Sequence, residues 1–187
     1  MTDEQARALG ECVASGGVAV FPADTVYGLA CDPENAEAVA RLYELKGRAP
    51  AKPAAVMFFD LAQAPDAGPY DALLPGGVTL LVANPKRRFP LACTADPETL
   101  GFRVPFLAPV GRPVLQSSAN LAGGPDARRL SDVPTSIRDR ADLVLDGGEL
   151  PGTPSTVIDV RTGRVLREGA VSIQDVMDAQ LPVDAGE

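Results

Sequence analysis

The 187-residue chain has no histidine, no tryptophan, three cysteines and only 5% aromatic residues. Without histidine, the commonest general base and the commonest zinc ligand are both missing. Cys12, Cys31 and Cys93 are odd in number and have no C-x-x-C spacing. They suit a reducing compartment, with the thiols serving as small core residues. No apolar run of transmembrane length and no signal peptide is present, so the reading is cytoplasmic and without a membrane partner. There is no Walker A sequence and no G-x-G-x-x-G, so a nucleotide has to be held some other way. A net charge of −8 argues against a surface that is basic throughout. It leaves room for a local cationic pocket.

What is present is a 45% apolar chain, long enough for one domain over residues 1–187. Thr2 with Gln5 makes a capping box for a helix to Ser15, with Ala6, Leu9 and Val13 on one face. Val18–Phe21 reads as a buried strand ended by Pro22. Asp24, Thr25 and Tyr27 follow at once, with Gly28 allowing a tight backbone. Polar groups at the end of a buried strand are where open α/β sheets place ligands. A second helix spans Asn35–Lys46, and Lys46 and Arg48 stand at its far end, where the helix dipole alone favours cations. Strands are expected at Ala54–Phe59, Val78–Ala83, Gly101–Val104, Pro113–Ser117 and Leu143–Asp146. An irregular link covers 60–75, an exposed loop with Lys86-Arg87-Arg88 covers 84–99, and a short helix covers Pro134–Ala141. Thr156–Val160 and Arg164–Leu166 form a hairpin turned by Thr162-Gly163, and Ser172 with Asp175 caps a last helix to about Ala179. The mixed order predicts an α/β (α+β) fold with a mixed sheet rather than strict βαβ alternation.

Several segments occur in an order that resembles the YrdC-type threonylcarbamoyl-adenylate synthase family: Val20–Gly28, Lys46-Gly47-Arg48, Leu74–Thr79, Phe102–Pro105, Ser117–Asn120, Ser155–Asp159 and Val165–Gly169. The resemblance implies a twisted open mixed sheet with flanking helices, curved around a cationic cavity. It implies synthesis of threonylcarbamoyl-AMP and pyrophosphate from L-threonine, bicarbonate and ATP, a nucleotidyl transfer serving the threonylcarbamoyl modification of adenosine beside the tRNA anticodon. ATP would enter with Mg²⁺, without a metal site of the protein's own. The implied partners are a downstream threonylcarbamoyl-transferase machinery and, indirectly, tRNA. Double-stranded RNA binding belongs to the wider family, and a nucleotide- or RNA-binding paralogue or a stand-alone carbamoyl-adenylate enzyme are the alternatives.

This chemistry asks little covalent work of the protein. The threonine amine captures the carbon of bicarbonate, and the carbamate oxygen then attacks the α-phosphorus of ATP as pyrophosphate leaves. Catalysis is mainly positioning and charge stabilisation, so fixed cations suffice without histidine or a cysteine nucleophile. By resemblance, Lys46 and Arg48 are the catalytic pair, and Arg48, Lys52, Thr99, Ser118, Asn120 and Arg167 hold ATP. Thr25, Tyr27, Arg103 and Ser155 hold L-threonine. From the residues alone, Ser118 and Asn120 equally suit a cap or turn, and Thr25 and Tyr27 a turn. Arg103 within a strand needs an anion partner. The chain departs from the family's pattern at Ala23, Gly77 and Ala122. Met57 stands where some members have histidine. Only ten residues separate Arg103 from Val114, and this shortened link, with the short one at 60–75, is expected to open one wall of the cavity.

Overall fold

The computed structural model describes residues 1–180. The expected capping box is present: the Thr2 hydroxyl accepts from Gln5 N, and the Gln5 side chain accepts from Thr2 N. It starts α1 (Asp3–Ala14), whose Ala6, Leu9 and Val13 are buried. Asn35 caps α2 (Ala36–Lys46) through Glu37 N and Ala38 N, and Gly47 closes it in the left-handed region. The remaining helices are the short α3 (Pro90–Cys93) and α4 (Thr135–Arg138), then α5 (Ile173–Gln180). Ser172 caps α5 through Asp175 N, as its spacing predicts.

The strands are β1 (Ala19–Pro22), β2 (Tyr27–Cys31), β3 (Ala55–Met57), β4 (Val78–Ala83), β5 (Thr99–Arg103), β6 (Val114–Ser118), β7 (Leu143–Val144), β8 (Thr156–Asp159) and β9 (Arg164–Arg167). They join in one mixed sheet, in the order β7-β1-β2-β6-β3-β5-β4-β8-β9. β1–β7, β3–β5 and β4–β8 are parallel pairs, and the other pairs are antiparallel. The mixed α/β class expected from the sequence is therefore observed.

Successive side chains of a strand point to opposite faces, and the two faces of this sheet differ. One face is core from β1 to β8: Val20, Leu29, Leu115, Val56, Phe102, Leu80 and Ile158 lie in one apolar cluster with α2, Ile137 of α4 and Val176 of α5. The other face is apolar only at the β7-β1-β2 end. There Ala19, Phe21, Ala30, Val114 and Met57 pack under α1 and Val110. Beyond β6 and β3 this second face is a cavity floor. Val114 is core, while Gln116 and Ser118 on the same strand face line the cavity; Met57 and Ala55 divide likewise on β3.

Three expectations need correction. Tyr27–Cys31 is not among the expected strands, yet it forms one, buried along its whole length. Gly28 serves close packing there rather than a turn: a Cβ would lie 2.9 Å from Gln116 Nε2 and 3.0 Å from Phe21. The 84–99 stretch contains α3, with Arg87 paired to Glu98 and Arg88 over the rings of Phe58 and Phe89. The 60–75 link is built of two short 3₁₀ turns, Leu61–Gln63 and Gly68–Leu73.

Candidate active site

The cavity has a volume of about 430 Å³, within the range of small-molecule sites. Its floor follows the period of two. Thr99, Gly101 and Arg103 of β5, Thr79 and Leu81 of β4, and Val157 and Asp159 of β8, preceded by Ser155, all line it. The residues between them, Leu100, Phe102, Leu80 and Ile158, are core. Four arginines, Arg48, Arg103, Arg161 and Arg167, face three aspartates, Asp96, Asp126 and Asp159.

Arg103 is the most enclosed of the four, 3% exposed. Its anion partner lies within the protein. Nη2 donates to Asp24 Oδ1 at 2.6 Å and to Thr25 Oγ1 at 3.3 Å. Burial pushes the Asp24 carboxyl up against the opposing pull of Arg103, and burial pushes Arg103 down. Desolvation thus outweighs the attraction on both partners, as is common for enclosed ion pairs. Arg103 Nε finds no acceptor among the described residues. A buried donor left open is costly, and this one belongs to a cavity-lining side chain.

Beside it, Ser155 and Thr79 share a hydrogen bond of 2.7 Å between hydroxyls. Arg167 donates through Nη2 to Ser155 O at 2.8 Å and to Ser155 Oγ at 3.2 Å. Gly169 permits this approach, since a Cβ there would lie 2.1 Å from Pro154 O. A register shift between β8 and β9 sets Val157 opposite Arg167 and Ile158 opposite Val165. Leu166 is the extra residue. The bulge lets Leu166 and Arg167, neighbours in the chain, both line the cavity.

Arg48 leaves α2 just past Gly47. Its Nη2 donates to Pro53 O at 2.5 Å, its guanidinium lies 5.7 Å from the centre of the Tyr43 ring, and its buried Nε has no partner among the described residues. Lys46 behaves differently from expectation. It is 2% exposed and does not line the cavity. Its Nζ donates to Ser118 O, to Asn120 O at 2.9 Å and to Asn120 Oδ1 at 2.8 Å. Burial, helped by the charge of Arg48 and opposed by Asp126, pushes Lys46 down to about 8. Lys46 therefore staples the Ser118–Asn120 turn to the end of α2, and Ala122 N adds a bond to Lys46 O at 2.8 Å. Asn120 completes that turn by donating to Gly124 O at 2.7 Å. Ser118 lines the cavity and Asn120 does not, so Asn120 takes the turn-holding role that the sequence left open.

Two further expected residues lie off the cavity wall. Tyr27 is fully buried in the core. Its hydroxyl donates to Gly148 O or Asp146 Oδ1 and accepts from Gly147 N, so it anchors the 146–148 loop. Lys52 is exposed and away from the cavity lining. Thr25, Thr99, Ser118, Arg103, Ser155, Arg48 and Arg167 all meet there. Met57 is buried under α1. The shortened link contributes no residue to the cavity; it leaves Phe106 exposed on the outside.

The site also includes residues that sequence reasoning passed over. Asp24 is the counter-ion of Arg103. Thr79 and Asp159 stood inside quoted motifs without a role. Gln116, Asp126 and Arg161 carried no motif at all. The period-two alternation of β4, β6 and β8 was the available signal for Thr79, Gln116 and Asp159. Cys93 reaches the cavity wall, but burial pushes all three thiols up, Cys31 to about 12. None is poised as a thiolate. Among the described residues no cluster of three or more histidine, cysteine or acidic side chains could hold a metal ion. Nor is any helix there long and apolar enough to cross a membrane.

The profile of the Sua5_yciO_yrdC family, described as "Telomere recombination", matches residues 11–169. The chain belongs to the Sua5/YciO/YrdC family. Within this family it is 34% identical over 175 residues to a threonylcarbamoyl-AMP synthase of Xanthomonas campestris pv. campestris, covering 83% of this chain and 93% of that one. It is 35% identical over 185 residues to a threonylcarbamoyl-AMP synthase of Chromohalobacter salexigens, covering 88% and 98%. Among solved structures, Escherichia coli YciO superposes with a TM-score of 0.77 at 26% identity, covering 92% of this chain and 93% of the other. P. abyssi Sua5 complexed with L-threonine superposes with a TM-score of 0.85 at 23% identity, covering 96% of this chain and 58% of that longer one. The last likeness is one of fold.

Proposed function

We propose that the chain is an L-threonylcarbamoyladenylate synthase, a nucleotidyltransferase that takes L-threonine, bicarbonate and Mg²⁺-bound ATP to threonylcarbamoyl-AMP and pyrophosphate. The observation that carries this reading is a pair of cavity-lining arginines, Arg103 and Arg48, each with a buried Nε that has no partner among the described residues. Two anionic substrates would give those donors their acceptors. Arg103, enclosed by Thr25 and near the Ser155–Thr79 hydroxyl pair, suits an amino-acid carboxylate and hydroxyl. Arg48, at the rim beyond α2, suits polyphosphate, and its planar fork matches such oxygens. The names of the relatives in the family support the same substrates.

In this reading the amine nitrogen bonds to the bicarbonate carbon with loss of water. The carbamate oxygen then attacks the α-phosphorus, and the bond to pyrophosphate breaks. The arginines hold the anions in line and spread the developing charge. The product would pass to a threonylcarbamoyl-transferase acting on tRNA in the cytoplasm, and the net charge of −8 disfavours direct RNA binding by this chain. The test is pyrophosphate release with all three substrates present. Release that requires both L-threonine and bicarbonate supports the reading. Release with carbamoyl phosphate in place of both threonine and bicarbonate would point to carbamoyl-adenylate chemistry instead, because that product needs a nitrogen that bicarbonate lacks.

A further inference from the structure

Arg161 is a cavity arginine that neither the motifs nor the proposed reaction uses. It sits in the turn between β8 and β9. Its Nε donates to Asp159 Oδ1 and its Nη2 to Asp159 Oδ2, both at 2.9 Å, and its Nη1 donates to Thr99 Oγ1. A guanidinium forked onto a carboxylate is neutralised and is a poor clamp for phosphate. Its effect falls on Thr99. A hydroxyl has one proton to give and lone pairs to accept with. The guanidinium N–H occupies a lone pair of Thr99 Oγ1, so the threonine proton has to find another acceptor. Among the described residues no protein group takes it, and Thr99 lies on the cavity floor.

The charge around Thr99 limits what that acceptor can be. Asp96 and Asp159 offset Arg161 and the neighbouring Arg164, so this end of the floor has no surplus of positive charge to hold phosphate. Arg103 is four residues further along β5, and Ser155, which holds Arg167, is four residues back from Asp159. At about 3.3 Å per residue each separation is roughly 13 Å. Between the two polar ends lie Leu81, Gly101 and Val157, an apolar strip. Polyphosphate belongs with Arg167 and Arg48, whose guanidiniums bond to backbone carbonyls and are not forked onto a carboxylate. The uncharged part of a nucleotide belongs on the strip and at Thr99. We propose that Arg161, held by Asp159, is a positioning residue that locks Thr99 as a hydrogen-bond donor to a neutral acceptor of the nucleoside, a base nitrogen or a ribose oxygen.

The proposal rests on ATP being a substrate. The experiment titrates α,β-methylene-ATP and, separately, pyrophosphate into wild type, Arg161→Gln, Thr99→Val and the double variant, with a thermal melt of each. Each single substitution should weaken the ATP analogue about tenfold, the scale of one hydrogen bond. The double variant should be no weaker than the weaker single, because both remove one contact, and pyrophosphate affinity should not change. If Arg161→Gln does not fold, Arg161→Lys, which keeps the charge but not the fork, takes its place. Equal loss for pyrophosphate, additive losses in the double variant, or a lowered melt with unchanged affinity each overturn the proposal. The last outcome would leave Arg161 a turn-holding residue only. If wild type itself binds no ATP analogue, the nucleotide reading fails, and this inference with it.

Discussion

Arg48 offers the sharpest separation between a binding role and a structural one. Replacing it with alanine removes its bond to Pro53 O and its place over the Tyr43 ring. A hydrogen bond from a charged donor is worth about 1.5–3 kcal/mol when enclosed. Arg48 is only half-buried, so about 1 kcal/mol is the fair figure after screening. The ring contact adds about 0.5–1 kcal/mol. The fold should therefore lose about 2 kcal/mol, a melting shift of roughly 4–8 °C for a chain of this size, more than a helix-end charge alone would give. ATP affinity should fall much further in relative terms, by roughly tenfold to a hundredfold, if Arg48 holds phosphate. Arg48→Lys should recover part of the affinity, since an ammonium is a point charge without the planar fork. Calorimetric titration of Mg²⁺-ATP into the three proteins, well below the lowest melting point, reads the affinity directly. If all three bind alike while the melts shift as calculated, Arg48 is a strut between α2 and the Pro53 loop. The phosphate site would then have to lie elsewhere.

Arg103→Met should raise the threonine KM at least tenfold while leaving ATP affinity within a factor of two; the stranded Asp24 carboxyl, already pushed up by burial, takes a proton and limits the cost to the fold. An unchanged threonine KM refutes the carboxylate role. Lys46 makes the pH prediction. Because its folded value lies near 8 and its ordinary value at 10.5, the unfolded chain binds more protons than the folded one across that window, so its contribution to stability rises with pH there. Melts of wild type and Lys46→Met at pH 7 and pH 10 should show wild type gaining on the variant; a constant gap refutes it. Replacing Cys12, Cys31 and Cys93 together with serine should leave pyrophosphate release largely intact, apart from stability lost to buried hydroxyls. Loss of turnover in a folded triple variant would refute a thiol-free mechanism.

The helix ends were legible because their signals are local: Thr2 with Gln5, Asn35, and Ser172 with Asp175 each satisfy backbone donors within a turn. β4 was legible as a run that is apolar but for Thr79. β2 was not, because Tyr27–Cys31 contains a glycine and is buried on both faces, so neither alternation nor β-propensity marks it. The arginines were legible as site residues by type and motif, but their partners were not. Nothing local ties Asp24 to Arg103, seventy-nine positions away, or Lys46 to Asn120, seventy-four away. Those pairings exist only once β2, β6, β3 and β5 lie side by side. Lys46 was misplaced for the same reason: its motif says cation, and only the packed structure says that carbonyls already surround it.

The bulge at Leu166 has a consequence for how this hairpin tolerates changes in length. Val165 and Arg167 already stand opposite consecutive residues of β8. Deleting Leu166 would make them consecutive in β9 as well, turning an irregular ladder into a regular one with Arg167 still opposite Val157. Deleting one residue elsewhere in a paired strand instead reverses every side chain beyond it. The edge of the sheet thus holds a one-residue slack beside the cavity. Chains of different length can close the same hairpin there while presenting the same guanidinium to Ser155, and length variation in this edge strand is decoupled from the chemistry it serves.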